Sequence, residues 1–172
     1  VVLVNPKFTM NCDTLKYNTI SKTATFMGPT YIHSEENLIY CESGWYNTEK
    51  QNSLFTGNAY LQSKEQILRG DTVMYDRLLA IGKGFGNVSV YDTTNKIIIK
   101  GAYAEHHENE DSSYVTGMAT MIQVFETDSL FMHGDTLKAV ADHGHPQTDP
   151  TGARKKNLFA YHHVKMFRND LQ

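Results

Sequence analysis

What this chain lacks narrows it first. No apolar run approaches the ~18 residues needed to span a bilayer. The opening VVLV is too short for a signal-peptide core and has no basic flank, so any targeting segment is expected upstream. Positive charge is also scarce: 16 basic residues stand against 19 acidic ones, a net charge of −3, with no basic run longer than Arg154-Lys155-Lys156. That balance leaves no electrostatic footprint for nucleic acid or an anionic membrane. Two cysteines fix no redox compartment. Helical periodicity is absent too, since no window holds apolar spacing at a period of 3.6 for three turns.

Tyr, Thr, Phe, Val and Ile are abundant, with only four prolines and with turn residues spread along the chain. Short runs alternate apolar and polar, as in Phe26, Gly28, Thr30, Ile32 and again in Phe55, Gly57, Ala59, Leu61. This is an all-β pattern.

The runs also recur. GDTVMYD at 70–76 has near copies in CDTLKYN at 12–18 and GDTLKAV at 134–140. Units begin at Cys12, Cys41, Gly70, Gly101 and Gly134, so the period is about 29 residues in the early units and slightly longer later. Sixteen residues into each of the first four units stands a glycine: Gly28, Gly57, Gly86 and Gly117. The fifth unit is delayed by a loop-like insertion at 142–156, and its matching stretch is Leu158-Phe159-Ala160-Tyr161, with Phe159 in the aromatic slot held by Phe26 and Phe55.

Each unit thus supplies two strands joined by a short turn, and the whole chain, 1–172, is expected to be one stacked β domain. One face of the strands carries Leu15, Phe26, Ile32, Phe55, Leu61, Val73, Val88, Val90, Val115 and Met121, with Tyr17 and Tyr75. The other carries Thr25, Thr56, Asn58, Asn87 and Ser89. A lone unit cannot bury its apolar face, whereas stacked units share one interior. Counted by register, the chain is expected to begin and stop inside units, as a fragment of a longer array or one continued through partners would.

The recurring Gly-Asp-x-apolar-x-Tyr-Asp with its later Phe-x-Gly-x-apolar resembles the OstA-like repeats of the LptA family of lipopolysaccharide-transport proteins, which includes the LptD periplasmic domain. The resemblance covers roughly residues 10–141 and 157–172. It departs at Gly84, where the aromatic is missing, at Ala104 and His106, and at the insertion. It implies a β-jellyroll of stacked antiparallel strands, an open-ended bent trough that carries lipopolysaccharide acyl chains inside and joins like proteins end to end in the periplasm of a diderm bacterium. A trough of this composition suits acyl chains, at about 0.8 kcal/mol per buried CH₂. Exposed end strands suit addition of a partner strand, and the ten apolar residues above become the expected lipid contacts.

Other signals are weighed against plainer readings. Cys12 and Cys41 share a column, so adjacent strands would bring them within disulfide range; two small buried thiols serve as well. His143, His145, His162 and His163 lack partners at metal-ligand spacing, and no metal or other cofactor is expected. The acidic column Asp13, Glu42, Asp71 and Asp135 fits turn capping better than hydrolysis, which needs two acids flanking one cleft. Gly82-Lys83-Gly84-Phe85-Gly86 lacks phosphate-loop spacing and reads as a turn plus the repeat glycine. No nucleophile, base and orienter assemble, so no catalytic residue is assigned. The expected function is a non-enzymatic lipid conduit of outer-membrane biogenesis. The rivals are a ligand-free β-solenoid spacer or adhesin and, further off, a carbohydrate-active enzyme using the acidic column.

Overall fold

The computed structural model describes residues 1–6, 8–35, 37–64, 66–126, 128–141 and 156–168. They form thirteen strands: β1 (Val2–Asn5), β2 (Phe8–Asn11), β3 (Thr14–Asn18), β4 (Thr23–Ser34), β5 (Leu38–Asn47), β6 (Asn52–Gln62), β7 (Gln66–Asp76), β8 (Ile81–Asp92), β9 (Ile97–His107), β10 (Ser112–Val124), β11 (Ser129–Ala141), β12 (Lys156–Tyr161) and β13 (Lys165–Arg168). All belong to one sheet, ordered β1-β2-β4 and then consecutively to β12. β3 also pairs with β4 and β13 with β11, and every pairing is antiparallel. Sequence neighbours are sheet neighbours, so a parallel solenoid is ruled out. The alternating, stacked β-jellyroll read from the repeats is what the chain forms.

Turns along one margin are built alike. The side-chain carbonyl of Asn18 accepts the N–H groups of Ile20 and Ser21, and that of Asn47 accepts those of Glu49 and Lys50. Asp76 does the same for Leu79. Successive turns are tied by backbone bonds, Thr48 N–H to Lys22 O at 2.9 Å and Arg77 N–H to Gln51 O at 3.0 Å.

The repeat glycine explains the shape. Gly28, Gly57, Gly86 and Gly117 have φ between +67° and +84°, where a Cβ is strongly disfavoured. At each, the ladder slips: β4 loses register between Met27 and Thr30, and β6 between Thr56 and Ala59. These are bulges, and they bend the strand. Tyr46 lies opposite Ala24 and Phe8 opposite Ser34 on β4. A straight strand would hold those two points ~33 Å apart. Their rings are 6.2 Å apart, so the sheet is folded over on itself along the glycine column.

The acidic column serves this bend. A Cβ on Gly57 would lie 2.7 Å from Glu42, whose Oε1 accepts a bond from Asn58 Nδ2 at 2.8 Å. Asp71 receives Asn87 Nδ2 at 2.9 Å beside Gly86. The fifth unit makes the same bend without glycine. His162 and His163 both have positive φ, Asp135 N–H donates to His162 O, and His163 Nδ1 sits 2.9 Å from Asp135 Oδ2. This corrects the expected register by one residue: Leu158 and Ala160 pack inward, while Phe159 is 46% exposed. His143 and His145 lie outside the described residues, as does the insertion up to residue 155.

Two packed clusters fill the fold line. Phe26, Phe55, Val73 and both cysteines form one; Val88, Val115, Met121 and Leu137 form the other. Cys12 and Cys41 are free thiols. They do not lie on adjacent strands as expected: β4 runs between them, and Thr30 opposite Cys41 fills the gap. Two strand spacings, ~9.6 Å, exceed disulfide reach. Burial, helped by Cys12, pushes the Cys41 thiol up to about 12. Gly82 to Gly86 lie within β8 rather than in a turn.

On the outer face Glu105 accepts hydrogen bonds from Tyr103, from Tyr114 at 3.1 Å and from His107 at 2.7 Å, with Lys83 Nζ at 3.2 Å. Burial would raise its pKa, but these four partners outweigh burial and hold it down at about 2, against 4.5 ordinarily. A depressed carboxyl stabilises the fold above its unfolded value and loses that contribution as pH falls. Urea midpoints of the native chain are therefore expected to drop between about pH 4.5 and 2 more steeply than those of Glu105→Gln.

Candidate functional site

Between the two folded half-sheets the interior stays open at the N-terminal end. A groove of about 710 Å³ runs there, floored by Phe8, Met10, Ile32, Ile39, Phe55 and Leu61. Strands β2, β4, β5 and β6 supply these side chains from both sides of the bend, each pointing inward because the pleat alternates. The lips are polar and come from turns at both margins: Ser34, Glu35 and Lys64 on one, Arg77, Glu108 and Asp111 on the other. A side branch of about 90 Å³ reaches Leu68, Val73, Val90 and Ala104. Beyond it the second cluster closes the interior, with Val88, Val115, Ala119, Met121 and Leu137 at 0–1% exposure.

Burial acts on two titratable groups in the groove. Tyr75 donates its hydroxyl to Glu108 Oε2 at 3.3 Å, and burial, reinforced by that carboxylate, pushes the phenol up to about 12. His106 pairs with Ser113 Oγ at 2.8 Å; burial takes its imidazole below the ordinary value against the pull of Glu108 and Asp111. Lys156 Nζ closes on Asp111 at 3.0 Å. The arrangement offers an apolar slot under a charged rim, which is the shape of a site for an amphiphile.

A family model described as OstA-like protein matches residues 1–71. This stretch is OstA-like. No curated protein sequence matches the chain. Among solved structures, the chain shares its fold with LptH of Pseudomonas aeruginosa, described as the LptA-homologous periplasmic component of a conserved lipopolysaccharide transport device. The TM-score is 0.59, with 10% identity, over 90% of this chain and 94% of that one. At such identity the likeness is one of fold, the LptA-type jellyroll. The resemblance read from the repeats is borne out on both counts.

Of the ten apolar residues singled out in the OstA-like repeats, Ile32, Phe55 and Leu61 line the groove, and Val73 and Val90 line its branch. Phe26, Val88, Val115 and Met121 lie in the packed fold line at 0–1% exposure, and Leu15 packs beside Phe26 at its edge. Sequence reasoning passed over Phe8, Met10 and Ile39. Phe8 and Met10 precede the first recognisable unit, although Phe8-Thr9-Met10 does alternate. Ile39 sits in the unbroken run Leu38-Ile39-Tyr40, where period two gives no face. Among the described residues no helix is long and apolar enough to cross a membrane.

Proposed function

We propose that this chain is a non-enzymatic carrier of lipopolysaccharide or its acyl chains, working in the periplasm of a diderm bacterium. The observation that carries the reading is the open groove with an apolar floor and charged lips on an LptA-type fold. Ten buried methylenes contribute about 8 kcal/mol, comparable with the cost of association, so a bound acyl chain is retained yet exchangeable. The rim lies where a headgroup would emerge. Among the described residues two sheet edges, β1 and β3 at one end and β12 and β13 at the other, have no further strand beside them, and strand addition there by a neighbour of the same fold would line grooves up end to end.

Photo-crosslinking tests it. A photoreactive residue at Ile39 or Leu61 captures lipopolysaccharide, and one at Thr25 or Thr56, on the outer face, does not. Equal or greater yield from the outer pair sinks the proposal. Leu61→Asp, which places a charge on the floor, is expected to weaken lipid binding at least about tenfold. The sealed second cluster favours a spacer reading for the C-terminal half alone. Extended to the whole chain, that reading predicts that native mass spectra show no lipid adduct.

A further inference from the structure

Apart from the isolated run Leu38-Ile39-Tyr40 in β5, alternation fails in one region, and it fails in register. In β4 and β6 the position beyond the inward Ile32 and Leu61 is polar, His33 and Gln62. From β7 onward the equivalent outward position is apolar in six successive strands. Ile67 faces Tyr91, Tyr91 faces Ile98, Ile98 faces Ile122, Ile122 faces Phe131, and Phe131 faces Phe167. The inward row is intact alongside it, with Leu68, Val90, Ile99, Met121 and Met132 packed inside. These strands are apolar on both faces, the pattern of a sheet covered on both sides. Scattered surface aliphatics need no explanation, whereas a contiguous row does. Phe131 is 38% exposed and Phe167 61%.

The neighbouring outward row carries three cations, Arg69, Lys100 and Lys165, with a histidine and two hydroxyls between them. Two residues closer to the bend on each strand stand Arg69, Ser89, Lys100, Thr120, His133 and Lys165, again in direct register. Neither row contains a carboxylate. Of the acids flanking the rows, Asp71 and Asp135 stand two residues beyond Arg69 and His133 toward the bend and are bonded to Asn87 and His163. Asp92 stands beside Tyr91, and Glu126 and Asp128 sit in the turn after β10, with Asp128 bound to Arg168 at 2.6 Å. An overall balance of 16 basic and 19 acidic residues gave no sign of an anionic partner, because the segregation exists only across strands.

We propose that the outer face of β9–β11 docks on an anionic lipid surface. Ile98, Ile122 and Phe131 would enter the headgroup boundary, and Lys100, with His133, would meet the lipid phosphates. Sheet twist of about 20–25° per strand prevents a flat surface from touching all six strands, so contact centres on three. Charge complementarity sets the sign of the partner. Exposure sets its kind: half-buried side chains in single file offer far less than the ~800 Å² per partner of a stable protein interface. Shallow insertion combined with Coulomb attraction needs no such area. The site lies on the opposite face of the sheet from the groove, so it is independent of lipid carriage, and its last strand, β11, pairs with the edge strands β12 and β13.

The test is co-sedimentation of the chain with phosphatidylcholine vesicles, with and without phosphatidylglycerol. Sedimentation is expected only with the anionic vesicles and should fade as salt rises. Lys100→Gln should weaken it about fivefold, and Ile98→Thr with Ile122→Thr at least about tenfold. Threonine keeps the strand preference at both positions, and Lys100 is exposed, so melting curves should stay near native. Leu61→Asp, inside the groove, should leave sedimentation unchanged. Equal binding to neutral vesicles, or indifference to the outer-face variants, overturns the proposal. So does loss of sedimentation in Leu61→Asp alone, which would assign the binding to the groove. Self-association without vesicles that the threonine pair abolishes would assign the face to a second copy and overturn it equally.

Discussion

Phe26→Ala is expected to cost about 3–5 kcal/mol of stability, read from urea or thermal unfolding. The ring is 0% exposed and stacks on Phe55 at 6.1 Å. What makes the loss large is that the space cannot collapse. The ring lies over Gly44 on the next strand, where an added Cβ would come within 2.7 Å of it. Gly44 is therefore small because Phe26 is large, and the backbone there is pinned by pairing to β4 and β6. Removing the ring leaves a void bounded by hydrogen-bonded backbone that has nothing to move into it. Thr25→Ala, one residue away on the exposed face, should stay within about 0.5 kcal/mol. A loss below about 1 kcal/mol for Phe26→Ala would mean that the fold line is not the packed core described above.

The parts of this architecture legible in the sequence are those set by local rules. Period-two alternation is a property of a single strand, and a glycine required at positive φ recurs wherever the strand must bend, so the units at 12, 41, 70 and 101 could be counted. The fifth bend was misread by one residue because His162 and His163 reach positive φ with a partner, Asp135, rather than by lacking a Cβ. Groove width was hidden for a different reason. It depends on how far the half-sheets close, and that is decided by pairs such as Phe8 with Tyr46, which are distant in sequence. The same apolar residue type lines an open slot at Leu61 and a sealed one at Val115. Cys12 and Cys41 share a column, but columns fall on alternate strands, so β4 separates them. The row from Ile67 to Phe167 reads in sequence as extra apolar neighbours and becomes a surface only when the registers align.

Gly57→Val should cost about 2–4 kcal/mol, and whatever folds should carry lipid poorly. Gly57 has φ +74°, a region that costs an L-residue roughly 1–2 kcal/mol and a β-branched one more. Its new Cβ would lie 2.7 Å from the Cβ of Glu42, which is not the free end of that side chain and cannot swing clear. The strain is relieved by straightening β6 at the bulge. Phe55 and Leu61 stand on either side of that point and face each other across the groove only because the strand bends between them. Opening the angle therefore moves the two walls apart and floods the floor. Gly82→Ala supplies the comparison. Its φ is ordinary, and the nearest atom an added Cβ would meet is Tyr75 Cδ2 at 3.9 Å, so that change should be neutral or stabilising by up to about 1 kcal/mol. Both variants remove a glycine from within a strand, and only one removes a bend. If Gly57→Val matches Gly82→Ala in unfolding and in lipid capture, the bulge column does not shape the groove. A loss of both confined to Gly57 assigns the open slot to the bend.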